Sequence, residues 1–119
     1  MHINIMKMLL SFVFAWRGLL IVLKEENNAK VHLLSTIAAL GVCYYLQVSP
    51  TDWAVICIVI GLVWITEIIN TAVERFVDMV SPDFNPKAGV VKDIAAGAVL
   101  MAVIVAVVVG VFIFTKYLF

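Results

Sequence analysis

From Ile94 to Phe114 the chain runs for 21 residues without a charged side chain. An α-helix needs about twenty such residues to cross the hydrocarbon core of a bilayer, so this stretch reads as a membrane span. The rest of the chain has to suit the same solvent. Hydrophobic residues make up 65% of the 119 and charged residues 13%, against roughly half and about a quarter in soluble domains. A soluble domain of this size could not bury that much apolar surface. The formal net charge is zero, and no basic cluster or stacking platform appears, which argues against nucleic acid. Cys43 and Cys57 stand singly in apolar segments with no metal-type spacing, so both are expected to be reduced. The N-terminal stretch carries Arg17 and no small-x-small cleavage pattern follows it, which speaks against a signal peptide.

Taken in order, Met8 to Leu23 is apolar apart from Ser11 and Arg17. At sixteen residues it is short for a span. It reads as an amphipathic surface helix with Trp16 and Arg17 at headgroup depth, a short or tilted span being the alternative. Lys24 to Lys30 forms a polar hinge, where Asn27-Asn28 permits a bend that no proline or glycine forces. Val31 to Val48 is the first span, with Tyr44 and Tyr45 suited to an interfacial belt. Ser49-Pro50-Thr51-Asp52 is a tight turn in which Thr51 or Asp52 can cap the next helix. Trp53 to Val80 is a second helix, longer than the bilayer core is thick. Ser81 to Lys87, with two prolines, is the clearest break in the chain. Ala88 to Phe119 is the third helix, and Gly97, Gly110 and several alanines give it a small-residue face for close packing.

The expected fold is therefore all-α: one membrane-embedded domain over 1–119, with a surface helix at about 5–29 and spans at about 30–48, 52–80 and 88–117. Lys7, Arg17, Lys24, Lys30, Arg75, Lys87 and Lys92 fall on one side in this scheme and only Lys116 near the other. The positive-inside rule then places the N-terminus and the 81–87 loop in the cytoplasm.

One segment breaks the apolar pattern without a turn signal. Thirteen apolar residues or glycines, Trp53 to Ile65, run directly into Thr66-Glu67-Ile68-Ile69-Asn70-Thr71-Ala72-Val73-Glu74-Arg75-Phe76-Val77-Asp78. On a helix, Glu67, Asn70, Glu74 and Asp78 fall within an arc of roughly 80°. Carboxylates continuous with a membrane span are a functional hypothesis by default. Glu25, Glu26, Asn28 and Lys30 of the hinge, Asp83 and Asn85 of the loop, and Lys92-Asp93 gather at the same membrane face. Several carboxylates stay ionised together only with a compensating cation, and oxygen ligands favour Mg²⁺ or a similar hard ion whose other sites are filled by water and phosphate oxygens. Lys92 could then hold phosphate, and a deep glutamate beyond the metal could serve as a base. Interhelical ion pairs, such as Glu74 or Asp78 with Arg75, Lys87 or Lys92, are the structural alternative, and His32 is open to a structural or capping role. No phosphate-binding glycine loop and no protein-kinase catalytic loop is present.

The segment Glu67-Ile68-Ile69-Asn70-Thr71-Ala72-Val73-Glu74-Arg75-Phe76-Val77-Asp78 resembles the E-[IL]-x-N-[ST]-A-[IV]-E-x-x-[VI]-D motif of the prokaryotic diacylglycerol kinase and undecaprenol kinase family. Val91-Lys92-Asp93-Ile94-Ala95-Ala96-Gly97-Ala98-Val99-Leu100 resembles that family's A-K-D-x-[AG]-[AS]-[AG]-A-V-L stretch, and Glu26-Asn27-Asn28-Ala29-Lys30-Val31-His32 its hinge. The likeness runs from about residue 7 to 110. It implies a homotrimer of three-span protomers in the bacterial cytoplasmic (inner) membrane, with surface helices over active sites at the cytoplasmic face. It implies direct transfer of the ATP γ-phosphoryl to a membrane lipid alcohol, undecaprenol or diacylglycerol. By position, Glu67 is the implied base and Asn70 its polar neighbour, with Glu67, Asn70 and Ala96 beside the substrate. Glu26 and Glu74 are the implied Mg²⁺ ligands, and Lys7, Glu26, Glu74, Asp83, Asn85, Lys92 and Asp93 the implied nucleotide contacts. Lys30 and His32 resemble the undecaprenol kinase branch more than the diacylglycerol branch.

Two other classes stand beside this reading. A small proton-coupled multidrug-type transporter would use Glu67 alternately for proton and substrate, although such proteins usually have four spans. A non-catalytic assembly subunit would use the ionisable groups only to pair helices.

Overall fold

The computed structural model describes residues 2–119 as four helices. They are α1 (Ile5–Glu25), α2 (Asn27–Leu46), α3 (Pro50–Val80) and α4 (Pro86–Leu118). All four are long and apolar enough to cross a membrane. At 1.5 Å per residue, α3 with 31 residues and α4 with 33 are each about 45–50 Å long. Both therefore overrun the ~30 Å hydrocarbon core by several turns, which lets their polar ends reach the interface.

The helix boundaries follow from local chemistry. The expected hinge narrows to one residue, Glu26, whose backbone is extended (φ −99°, ψ 123°) while its N–H donates to the Val22 carbonyl and closes α1. At the end of α2, Gln47 takes the left-handed conformation (φ 52°) and its N–H reaches back to the Cys43 and Tyr44 carbonyls. Ser49, rather than Thr51 or Asp52, caps α3: its hydroxyl accepts from the Asp52 N–H at 3.2 Å. Pro50 suits the first helical turn, where no amide donor is needed, so the cap falls one residue before it. At α4 the same arrangement recurs, with Asn85 Oδ1 accepting from the Lys87 N–H at 2.9 Å ahead of Pro86.

Helices α3 and α4 form an antiparallel hairpin that provides most of the packing, α2 lies against α3, and α1 touches the others only near its C-terminal end. Val22 is the buried residue of α1, and residues 2–17 are all exposed. Along α3 the buried positions Asp52, Ile56, Val59, Val63, Glu67 and Asn70 keep three- and four-residue spacing, and Val77 follows two turns later. This is one inward stripe that begins polar, turns apolar, and turns polar again. The tightest apolar cluster lies at the α2–α3 turn, where Cys43, Val48, Ile56 and Ile113 are buried together and Trp53, Phe114 and Tyr117 pack on them. Both cysteines are free thiols, Cys43 buried and Cys57 exposed.

The protomer spans 52 × 45 × 28 Å and leaves most of its large apolar side chains outside, among them Phe12, Trp16, Leu34, Ile58, Ile69, Leu100 and Phe112. Apolar surface on that scale is matched to lipid or to other protein. The small-residue face of α4 is part of it. A Cβ placed on Gly97 would meet nothing within 4 Å, and at Gly110 the nearest atom is Phe114 Cε2 at 3.9 Å. Within the protomer, then, Gly97 does not mediate the close helix approach its sequence suggests.

Candidate functional site

The inward stripe of α3 places Glu67 and Asn70 at 1% and 4% exposure. Each is three or four residues beyond a buried valine or its predecessor in the stripe, so the periodicity that packs the helix also turns these polar groups inward. Thr71, also buried, returns its hydroxyl to the Glu67 carbonyl at 2.9 Å and competes for neither side chain. Asn70 Nδ2 donates to Glu74 Oε1 at 3.2 Å, an i,i+4 contact that fixes one glutamate oxygen.

Glu67 meets α2 at His32, with Nε2 and Oε2 3.4 Å apart but not aligned for a hydrogen bond. These two atoms and Asn70 Oδ1 are buried without a hydrogen-bond partner. Three such atoms within one small region stand out, because buried polar atoms are almost always satisfied. Along the chain, the cation nearest to Glu67 is Arg75, two helical turns on. The fold supplies an imidazole from 35 residues away in the chain.

Above this buried group, toward the end of α3, lie ion pairs. Arg75 donates to Glu25 at 2.7 Å and to Glu26 at 3.3 Å, tying the α1–α2 junction to α3. Lys92, expected on phosphate, is held by Asp78. The ion-pair alternative is thus realised for Asp78 and Lys92, whereas Glu74 is engaged by Asn70 instead. Asn85 spends its carbonyl oxygen on the α4 cap. Lys7, Asp83, Asp93 and Ala96 are exposed, and among the described residues no side-chain hydrogen bond or ion pair links them to the Glu67 group.

The donor set around α3 bears on a metal. Glu74 is held by Asn70, Glu26 reaches α3 through Arg75, and the oxygens of both suit a hard cation. Among the described residues no group of three or more His, Cys, Asp or Glu could hold an ion unaided. Two carboxylates fit Mg²⁺ arriving on phosphate oxygens, which completes its shell with substrate and water, better than an all-protein cage.

Two apolar cavities flank the buried group. One of about 440 Å³ opens between α2, α3 and α4, and its few polar walls are His32, Ser35 and Thr36. The other, about 310 Å³, lies on the α1 side against Leu19, Leu23, Trp64 and Ile68. Between them Trp64 Nε1 donates to Thr36 Oγ1 at 2.9 Å. Trp64 is therefore a hydrogen-bonded part of the wall. Its partner Thr36 is 28 residues away, and neither residue type nor local spacing signals the pair.

The model of the prokaryotic diacylglycerol kinase family matches residues 13–114. The undecaprenol kinase of Bacillus subtilis is 34% identical over 104 residues, covering 87% of this chain and 85% of that protein. A diacylglycerol kinase of Synechocystis is 36% identical over 104 residues, 87% of this chain and 59% of the larger protein. The diacylglycerol kinase of Escherichia coli is 30% identical over 95 residues, 80% of this chain and 78% of that protein. These likenesses span the acidic stripe, the hinge and the Lys92-Asp93 turn together, and they give the transporter reading no support. The chain belongs to the prokaryotic diacylglycerol kinase family of lipid kinases.

Proposed function

We propose that this chain transfers the γ-phosphoryl group of ATP directly to the hydroxyl of a membrane lipid alcohol, undecaprenol or diacylglycerol, with Glu67 as general base. The observation that carries the proposal is the buried carboxyl of Glu67, whose Oε2 has no hydrogen-bond partner and stands 3.4 Å from His32, a residue that lines an apolar cavity of about 440 Å³. A lipid alcohol presents one hydroxyl on a long hydrocarbon, and here a buried carboxylate stands behind the polar wall of an apolar cavity.

The acceptor O–H gives its proton to Glu67. Its oxygen forms a bond to the γ-phosphorus as the bond from that phosphorus to the β,γ-bridging oxygen breaks, and ADP leaves with the electron pair. Such a transfer needs positioning and charge neutralisation more than covalent help from the protein. Asn70 steadies Glu74 and faces the same space. Glu26 and Glu74 would hold Mg²⁺, which when bound neutralises phosphate charge. Glu26 would do so by giving up its longer contact to Arg75, which Glu25 holds more closely, 2.7 against 3.3 Å. Lys92 exchanges Asp78 for a phosphate oxygen, and Lys7, Asp83, Asn85 and Asp93 approach the nucleotide from the exposed rim. Helix α1 lies along the cytoplasmic face of the bacterial inner membrane, which accords with its uncovered N-terminal half. The open faces of α4 pack in a homotrimer, which accords with the exposed Gly97.

The test is a lipid panel. Protein reconstituted in vesicles with radiolabelled ATP should label undecaprenol or diacylglycerol, and only with Mg²⁺ present. No labelled lipid across undecaprenol, diacylglycerol and ceramide would overturn the proposal.

A further inference from the structure

We propose that His32 is a positioning residue for Glu67: Nε2 takes hold of Oε2, so that the other carboxylate oxygen faces the acceptor hydroxyl. The inference rests on Glu67 being the base.

Four residues form a closed circuit across the α2–α3 interface. The Thr36 hydroxyl donates to the His32 carbonyl at 2.7 Å, one turn back on α2. The same hydroxyl accepts from Trp64 Nε1 at 2.9 Å. The Trp64 ring meets the His32 ring edge-on, with centroids 6.2 Å apart and planes at 68°, a favourable aromatic geometry. Glu67, one turn along α3 from Trp64, completes the circuit at His32 Nε2, 3.4 Å away. Thr36 uses its single hydrogen on one side and a lone pair on the other, so backbone, tryptophan and histidine constrain one another.

A histidine placed only to fill space would not need its ring braced in this way, nor would it leave Nε2 buried and unsatisfied toward a carboxylate. A buried donor without a partner is destabilising, so the arrangement persists only where something else requires it. The 3.4 Å contact is open by a few tenths of an ångström and poorly aligned. Contacts of this kind often tighten only when substrate is bound. When the acceptor hydroxyl engages Glu67, the carboxylate turns, and Nε2–H closes on Oε2.

His32→Gln and His32→Asn separate this role from a structural one. The glutamine amide nitrogen reaches the position of Nε2; the asparagine nitrogen reaches only that of Nδ1. In vesicles with Mg²⁺-ATP and the acceptor lipid, H32N should lower kcat by about 10–100-fold, the usual loss when a supporting partner of a catalytic group is removed. The KM values for ATP and lipid should stay within about twofold. H32Q should recover kcat to within about threefold of the parent protein. Equal kcat in both variants overturns the proposal, as does a loss that falls on KM alone. Glu67→Gln measured in parallel keeps the two readings apart. If it retains activity, the base assignment itself fails. If it is inactive while H32N is fully active, only the role of His32 fails.

Discussion

Helix α3 buries two carboxylates, Asp52 in its first turn and Glu67 in its C-terminal half, and the two are treated in opposite ways. Asp52 accepts from the Tyr117 hydroxyl at 2.6 Å and from Lys116 Nζ at 3.1 and 3.2 Å. Tyr117 in turn accepts from the Ser49 N–H at 2.9 Å. This polar knot sits beside the tightest apolar cluster of the protein. Glu67, fifteen residues along the same stripe, has only the unaligned His32 beside it, and that histidine lines an apolar cavity. Like burial with unlike satisfaction separates a carboxylate that fastens helices from one that is available for chemistry. A satisfied network makes the local structure rigid, whereas an unsatisfied one persists where function requires it.

The contrast predicts that activity and stability separate along α3. The largest effect belongs to Glu67→Gln, which keeps the shape and removes the base. We expect kcat to fall roughly 10²–10⁴-fold while ATP binding and the thermal midpoint hold or improve, since an ionisable group leaves a buried position. Parent-like turnover in the lipid assay would end the distinction between the two ends. Next is Asn70→Ala. Without its donor, Glu74 is no longer fixed, and either activity at limiting Mg²⁺ or the apparent Mg²⁺ affinity should drop by about 10–100-fold. A titration of rate against Mg²⁺ decides it. An unchanged midpoint would remove Glu74 from the proposed metal pair.

The far end should answer in the other currency. Asp52→Ala leaves Lys116 and Tyr117 without their common acceptor. The thermal midpoint should drop by several degrees, with kcat at a permissive temperature within about twofold, because the half-buried Tyr117 hydroxyl loses its acceptor and the helix ends lose their tie without the distant site being touched. Tyr117→Phe should show a smaller loss of the same kind. A fall in kcat at constant stability would couple the two ends and defeat the comparison.

How far each end could be read from sequence differs for the same reason. The acidic face of α3 is a local pattern, four polar positions within one arc next to an apolar run, and periodicity exposes it directly. The family motif covers the same residues. The knot at the other end joins Asp52 to partners 64 and 65 residues away, and Lys116 looks in sequence like a stray cation near the bilayer edge. The His32–Glu67 approach and the Trp64–Thr36 bond are also products of how α2 lies on α3. Residue type there points to belt aromatics and a capping histidine, and only packing reveals the circuit. Asn85 shows the reverse: its oxygen is a helix cap, which the Asn-Pro pair signals locally, even though the family likeness points to a nucleotide.

The smallest expected effect is also the sharpest check on what lies beyond Glu67, toward the C-terminus of α3. Arg75 joins α3 to Glu25 and Glu26, yet all three side chains are substantially open to solvent, at 48%, 57% and 26% exposure. Exposed pairs contribute little, because solvent and salt screen them and two long side chains must be held in place. Arg75→Gln should therefore shift the thermal midpoint by no more than about a degree or two, and that shift should vanish in high salt. Its consequence should be at the nucleotide instead. With Arg75 gone, Glu26 loses a competitor for Mg²⁺ while the α1–α2 junction loses its tether. A lower Mg²⁺ midpoint would identify competition as the dominant role of Arg75, and a higher one would identify tethering. If the variant proved strongly destabilised with an unchanged Mg²⁺ midpoint, this end of α3 would be fastening helices as the Asp52 end does, and the division between them would fail.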